Sequence, residues 1–253
     1  MVLQDFHVHS TFCDGKNSPE EMVLAAIGKG LRRVGICVHS PVAFDSGYFP
    51  PAEELPVFQR EIARLKDKYK DAIDVLCGME LDIYSEVDVG GFDYIIGSVH
   101  YVKAGGEYFA VDYTAEKFEA GCRRHFGGDY CSLAARYFEA VAEVADKTGC
   151  DIIGHFDLVT KFNEGNRLFD ESDPRYIAAW KAAADRLLKT GKPFEINTGG
   201  ISRGCRTVPY PAPEIMAYLA ESGGHFILSS DAHSADTLIF DFEKYAQICD
   251  RGI

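Results

Sequence analysis

The chain has 253 residues, 47 % of them hydrophobic and 26 % charged, a globular composition with length for one large domain or two small ones. A formal net charge of −13 argues against a surface built for nucleic acid or an anionic membrane. It also sets a condition: an anionic ligand can bind well only where positive charge is gathered locally.

No apolar run approaches the roughly eighteen residues needed to span a bilayer. Residues 1–10 show neither a basic leader nor an apolar secretory segment, which predicts a cytoplasmic protein. The eight cysteines are scattered and none has CxxC spacing, so free thiols are expected rather than a cysteine zinc site. No repeat, low-complexity run or linker divides the sequence, and residues 1–253 are read as one domain.

Taken in order, residues 4–9 form a first strand. Ser18-Pro19-Glu20-Glu21 then offers an N-cap, a proline at the first helical position and a capping-box glutamate, opening a helix that runs to Lys29. A strand over 33–39 precedes a helix over 53–69, where Leu55, Phe58, Ile62 and Leu65 recur at helical spacing. Strands follow at 74–80 and 94–100. Residues 101–130 fit neither element and are expected to make an excursion over the mouth of the fold. A long helix over 132–148, a strand over 151–155, a helix over 174–190 and a strand over 193–197 come next. A helix over 213–222 and a strand over 225–231 close the series, and a final strand is expected to be missing or very short before Gly252-Ile253. Strands alternating with helices indicate parallel βαβ units, in either a closed barrel or a large open sheet.

The polar residues are informative by position. His7 and His9 end the first strand, His39 the second, Glu80 the third, His100 the fourth, His155 the fifth, and Asp231 with His233 the seventh. In a parallel barrel all strand C-termini open on one face, so residues far apart in sequence converge there. Strand side chains alternate, so both imidazoles of His7-Val8-His9 can reach one cation. A lone His-x-His is more often a pair of half-exposed strand residues, but the further candidate ligands at equivalent strand ends favour the metal reading. Asp231-Ala232-His233 offers one oxygen and one nitrogen ligand, or else a strand-end cap, and the motif alone leaves both open. Glu80 follows an apolar run and could bridge two cations through its two oxygens, with Asp82 as a substitute. Asp14 sits in Asp14-Gly15, which by spacing alone is a turn signal. His125 and His225 lack the pattern. Gly105-Gly106, Gly127-Gly128 and Gly199-Gly200 read as turns, and Tyr48, Phe49, Tyr108, Phe109 and Tyr113 either line a mouth or pack loops.

Taken in order, His7-Val8-His9-Ser10, Asp14-Gly15, His39, Gly78-Met79-Glu80, Gly97-Ser98-Val99-His100, Gly154-His155-Phe156-Asp157 and Ser230-Asp231-Ala232-His233 resemble the polymerase and histidinol phosphatase (PHP) superfamily. Glu195-Ile196-Asn197-Thr198-Gly199-Gly200 with Arg203, and Tyr210-Pro211, are most similar to its monofunctional histidinol-phosphate phosphatases. The resemblance implies a distorted (β/α)7 TIM-like barrel, an α/β fold, with two or three divalent metal ions, zinc first and manganese or iron as alternatives. By position it implies one metal on His7, His9, Glu80 and Asp231, a second on Glu80, His100 and His155, and a third on Asp14, His39 and His233. It raises Asp14 from a turn residue to a ligand. Lys161 and Arg203 match its basic, substrate-binding positions, although Gly199-Gly200-Ile201-Ser202 departs from the usual loop.

The implied activity is hydrolysis of L-histidinol phosphate, a small phosphorylated substrate, by a metal-bridging hydroxide. Asp231 would accept a proton, and Asp14 or a nearby histidine would assist the leaving alkoxide. The cations would supply the positive charge that the chain lacks. The competing readings are a phosphoesterase for another small ester, such as a sugar phosphate or nucleotide, a non-catalytic accessory module, and a closed structural metal site. Ligands spread over six strand ends favour an open cluster over the last.

Overall fold

The computed structural model describes residues 4–249. In chain order its strands are β1 (Gln4–Val8), β2 (Arg33–His39), β3 (Asp74–Asp82), β4 (Tyr94–Ser98), β5 (Tyr101–Ala104), β6 (Glu107–Ala110), β7 (Ile152–Ile153), β8 (Phe194–Asn197) and β9 (Phe226–Ser229). The helices are α1 (Pro19–Gly28), α2 (Leu55–Tyr69), α3 (Ala115–Phe126), α4 (Tyr130–Val141), α5 (Val144–Thr148), α6 (Pro174–Leu188), α7 (Gly199–Ser202), α8 (Pro213–Glu221) and α9 (Phe242–Tyr245).

Leaving out β5 and β6, the strands form one parallel sheet in the order β1-β2-β3-β4-β7-β8-β9. It closes on itself: Ala232 N–H donates to the His7 carbonyl at 3.1 Å, and His9 N–H donates to the Ala232 carbonyl at 2.8 Å. The choice between barrel and open sheet is thereby made in favour of the barrel. Among the described residues no helix is long and apolar enough to cross a membrane.

Alternation along the strands divides the barrel interior into two levels. Phe6, Cys37, Tyr94, Ile96, Ile152 and Ile227 form an apolar cluster separate from the larger one that packs the helices. Two residues further along β2, β4 and β9 stand His39, Ser98 and Ser229, and β3 and β8 add Glu80, Glu195 and Asn197 to the polar part of the interior, all buried. The floor is made by Tyr94, whose hydroxyl donates to the Phe6 carbonyl at 2.5 Å and meets Cys37 Sγ at 3.1 Å. The ring occupies space left by two glycines: a Cβ on Gly35 would lie 2.0 Å, and one on Gly78 2.3 Å, from atoms of Tyr94.

Ser18 caps α1 as expected, accepting from Glu21 N–H at 3.3 Å, while its own N–H donates to Glu21 Oε2 at 2.7 Å. Two expectations need correction. Residues 101–130 are ordered as the hairpin β5–β6 and the helix α3. The positive φ values of Gly105 (59°) and Gly106 (83°) give the tight turn that antiparallel strands require. The long helix over 132–148 is two, because the chain tightens to a Glu143 N–H to Ala140 carbonyl bond of 3.0 Å. That turn lets Val141, Val144 and Ala145 all face the core. The expected short or missing final strand before Gly252-Ile253 lies outside the described residues.

Gly35→Ala should destabilise the protein by about 1–3 kcal/mol in urea unfolding, as overpacking of a filled core does. Adding Tyr94→Phe, which removes the nearest clashing atom, should recover part of that loss. Strictly additive costs would show that the glycine is not there to admit the ring.

Candidate metal centre

The polar level of the barrel centres on Glu80, whose side chain is 1 % exposed. Register places it beside His39 on β2, and the strand ends bring four more imidazoles around it. Glu80 Oε2 lies 3.2 Å from His7 Nε2, 3.3 Å from His9 Nε2 and 2.9 Å from His39 Nδ1. Its Oε1 lies 2.9 Å from His100 Nε2 and 2.7 Å from His155 Nε2. The two oxygens of one carboxylate thus face two different sets of nitrogen donors.

Asp231 approaches the first set, its Oδ1 lying 3.5 Å from His9 Nε2 and 3.8 Å from His7 Nε2. Its backbone is left-handed, with φ of 49°, an unusual conformation that the paired Ala232 next to it helps to fix. Asp14 draws the remaining histidines together: Oδ1 is 3.4 Å from His39 Nε2, and Oδ2 is 3.2 Å from His233 Nε2. All nine sequence-predicted ligands therefore sit in one contiguous cluster.

Three groups outside the nine hold the rings in place. Glu195 Oε1 meets His7 Nδ1 at 2.6 Å, and its Oε2 accepts His155 N–H at 3.0 Å. Asp82 Oδ2 lies 3.2 Å from His100 Nδ1, which gives the residue an orienting place rather than the substitute ligand place. Cys13 Sγ lies 3.3 Å from His9 Nδ1. For His7, His9 and His100 this leaves Nε2 facing the cluster, the arrangement in which outer partners fix a metal-ligating imidazole. Glu195 was discoverable: an acid between Phe194 and Ile196 in a buried strand must have a partner.

Burial works against charge throughout the cluster, and mutual attraction overcomes it at most sites. For Glu80, burial raises the pKa, but His7, His100 and His39 hold it well below the carboxylate range. Burial likewise opposes the ionisation of Asp231, yet Arg203, then His7, His233 and His9, hold it well below its usual value. His7 is raised well above an ordinary imidazole, because Glu195, Glu80 and Asp231 outweigh its desolvation. His39 is pushed up to about 9, against its burial, chiefly by Glu80 and Asp14. His9, desolvated and beside His39 and His233, is pushed down to about 3.

Nε2 of His7, His9 and His39 and Oε2 of Glu80 are buried without a hydrogen-bond partner among the described residues. An unsatisfied buried polar group costs about 1–3 kcal/mol; those of His7, His9 and Glu80 converge, and His39 Nε2 faces Asp14 beside them, so the cluster calls for an occupant. Imidazole nitrogens with carboxylate oxygens are donors that borderline divalent metals accept, so the residues fit the group.

The cluster opens into a mouth of about 300 Å³, lined among others by Tyr48, Tyr113, Lys161 and Arg203. Of the aromatic residues, Tyr48 and Tyr113 reach this mouth, whereas Tyr108 stacks on Phe44 at 3.9 Å and Phe109 on His125 at 5.4 Å. Arg203 donates to Asp231 Oδ2 at 2.8 Å, and Lys161 donates to the Asp112 carbonyl at 2.7 Å. Gly199 makes the first contact possible, since a Cβ there would lie 2.7 Å from the Arg203 guanidinium and 2.8 Å from Asp231. Both cations already have acidic neighbours, so neither adds much unopposed positive charge.

Glu195→Gln should weaken retention of divalent metal by about 10–100-fold in competition with a chelator, the usual effect of losing an outer partner. Unchanged retention would remove Glu195 from that role.

The PHP domain family model matches residues 5–199. A Deinococcus radiodurans protein named "Probable histidinol-phosphatase" is 32 % identical, covering 95 % of this chain and 90 % of its own length. A hisK crystal structure from Listeria monocytogenes superposes with a TM-score of 0.83 at 22 % identity, covering 96 % of this chain and 99 % of that one. The histidinol phosphate phosphatase of Lactococcus lactis, solved with zinc, L-histidinol and phosphate, superposes with a TM-score of 0.72 at 22 % identity, covering 97 % and 91 %. The ordered motifs, the barrel they build and the extent of the match together place this chain in the PHP domain family.

Proposed function

We propose that the chain hydrolyses L-histidinol phosphate to L-histidinol and phosphate, as a cytoplasmic enzyme of histidine biosynthesis whose residues 1–253 act as one catalytic domain. The observation that carries the reading is Glu80, one buried carboxylate with two imidazoles on one oxygen and three on the other. The histidinol-phosphatase names of its relatives supply the substrate.

In this reading His7, His9, Glu80 and Asp231 hold one divalent cation, and Glu80, His100 and His155 a second. Asp14, His39 and His233 hold a third. Zinc is the first choice, with manganese or iron as substitutes. When bound, such ions supply Lewis-acid polarisation of the ester and of water.

The chain's own groups do the rest. Asp231, kept ionised by Arg203, accepts a proton from the attacking water. The new phosphorus–oxygen bond forms in line as the bond to the alkoxide breaks, with no phospho-enzyme. Asp14 or a nearby histidine passes a proton to the leaving alkoxide. Lys161 and Arg203 orient the phosphate oxygens at the mouth.

The test is phosphate release from a panel of esters by purified protein reconstituted with zinc or manganese. Turnover of L-histidinol phosphate should exceed that of sugar phosphates and nucleotides. A rate on it about a hundredfold below that on another ester, a difference of about 2.7 kcal/mol in transition-state binding, assigns the chain to that ester.

Glu80→Gln should abolish turnover and release two cations together, read by elemental analysis of the purified variant. Near-normal metal content and activity would sink the shared-ligand assignment. Protons compete with the metal: in the metal-free protein His7 and His39 are held protonated at neutral pH, His39 up to about 9. Metal uptake at pH 7 should therefore release protons, and affinity should weaken as pH falls below about 9. Calorimetry in buffers of different ionisation enthalpy measures this, and a buffer-independent heat would count against it.

A further inference from the structure

One acidic group in the mouth is not absorbed by the donor cluster. Asp112 follows Val111, whose N–H donates to the His100 carbonyl at 2.8 Å, so the return strand of the hairpin fixes it beside the centre. It lines the same opening as Tyr48, Tyr113, His100 and Lys161. Its Oδ2 lies 3.7 Å from Lys161 Nζ, longer than a good hydrogen bond, while its Oδ1 is buried with no hydrogen-bond partner among the described residues.

A carboxylate here works against the rest of the site. It repels a phosphate ester entering the same mouth, and poor solvent screening there makes the repulsion stronger. Both the repulsion and the unsatisfied oxygen are relieved by a substrate that brings its own cation. The other carboxylates of the mouth, Asp14, Glu80 and Asp231, are each engaged with imidazoles. Glu80 Oε2 also lacks a hydrogen bond but has three imidazoles within 3.3 Å, whereas the open oxygen of Asp112 has no hydrogen-bond partner among the described residues.

We propose that Asp112 is a specificity-determining residue that receives the protonated amine of an aminoalkyl phosphate, a monoester with an ammonium group on the carbon next to the ester methylene. The proposal rests on the phosphatase reading above and extends it to the part of the substrate remote from phosphorus. Lys161 then has two neighbours of opposite sign, the phosphate on one side and Asp112 on the other.

The experiment compares metal-reconstituted wild type and Asp112→Asn on L-histidinol phosphate and on its des-amino analogue, 3-(imidazol-4-yl)propyl phosphate. Wild type should prefer the amine-bearing ester, and Asp112→Asn should lower kcat/KM for that ester by about 100-fold, the scale of losing one partner of a desolvated charge pair. The des-amino ester should lose far less, so the ratio between the two collapses. Equal losses on both esters would assign Asp112 to holding Lys161 and overturn the proposal, as would a wild type with no preference for the amine. A wild type that ignores both esters but cleaves another sinks the histidinol phosphate reading instead. The amine preference is then read on 2-aminoethyl phosphate against ethyl phosphate, with the same two outcomes.

Discussion

Glu80 can be buried as an anion only because imidazoles surround it, and most of the surrounding architecture serves that arrangement. A carboxylate taken out of water costs several kcal/mol unless opposite charge and hydrogen bonds meet it closely. Here five rings from four strand ends do so, which fixes β1, β2, β4 and the segment after β7 around Glu80 on β3. The rings are themselves restrained from behind by Glu195, Asp82 and Cys13. Removing any one ring leaves a buried anion less compensated, so the cluster is energetically a single object.

The charge condition set by the acidic composition is answered more narrowly than the sequence implied. Lys161 and Arg203 both reach the mouth, but Asp112 and Asp231 stand against them. The positive potential that a phosphate ester needs must therefore come chiefly from bound cations rather than from side chains. Arg203 acts most directly on Asp231, holding that carboxylate in its ionised form.

The strand pattern was legible because parallel strands covered on both faces are nearly continuous in apolar residues, and an interruption by His or Glu stands out. Eight of the nine clustered residues stand out at strand ends in the same way, whereas Asp14, in its Asp-Gly loop, is marked only by the family resemblance. Sequence could not supply lateral register, which decides that His39 lies beside Glu80, nor which oxygen each ring meets. Glu195 was passed over because an acid inside a strand gives no hint of which distant ring it faces. The hairpin at 101–110 was missed because its strands are four residues each, too short for alternation to be distinguished from a loop.

Closure of the barrel has a consequence for how the protein comes into being. The carboxylate of Asp5 accepts from Ser230 N–H at 3.1 Å across 225 residues of sequence, alongside the pairing of Val8 with Ala232. His7 and His9 cannot meet Asp231 until that seam has formed. Contacts of such long sequence separation form late, because loop closure must precede any gain from them. A chain emerging from the ribosome thus carries most of its histidines well before it can organise them. The polar cluster and the finished fold therefore arrive together.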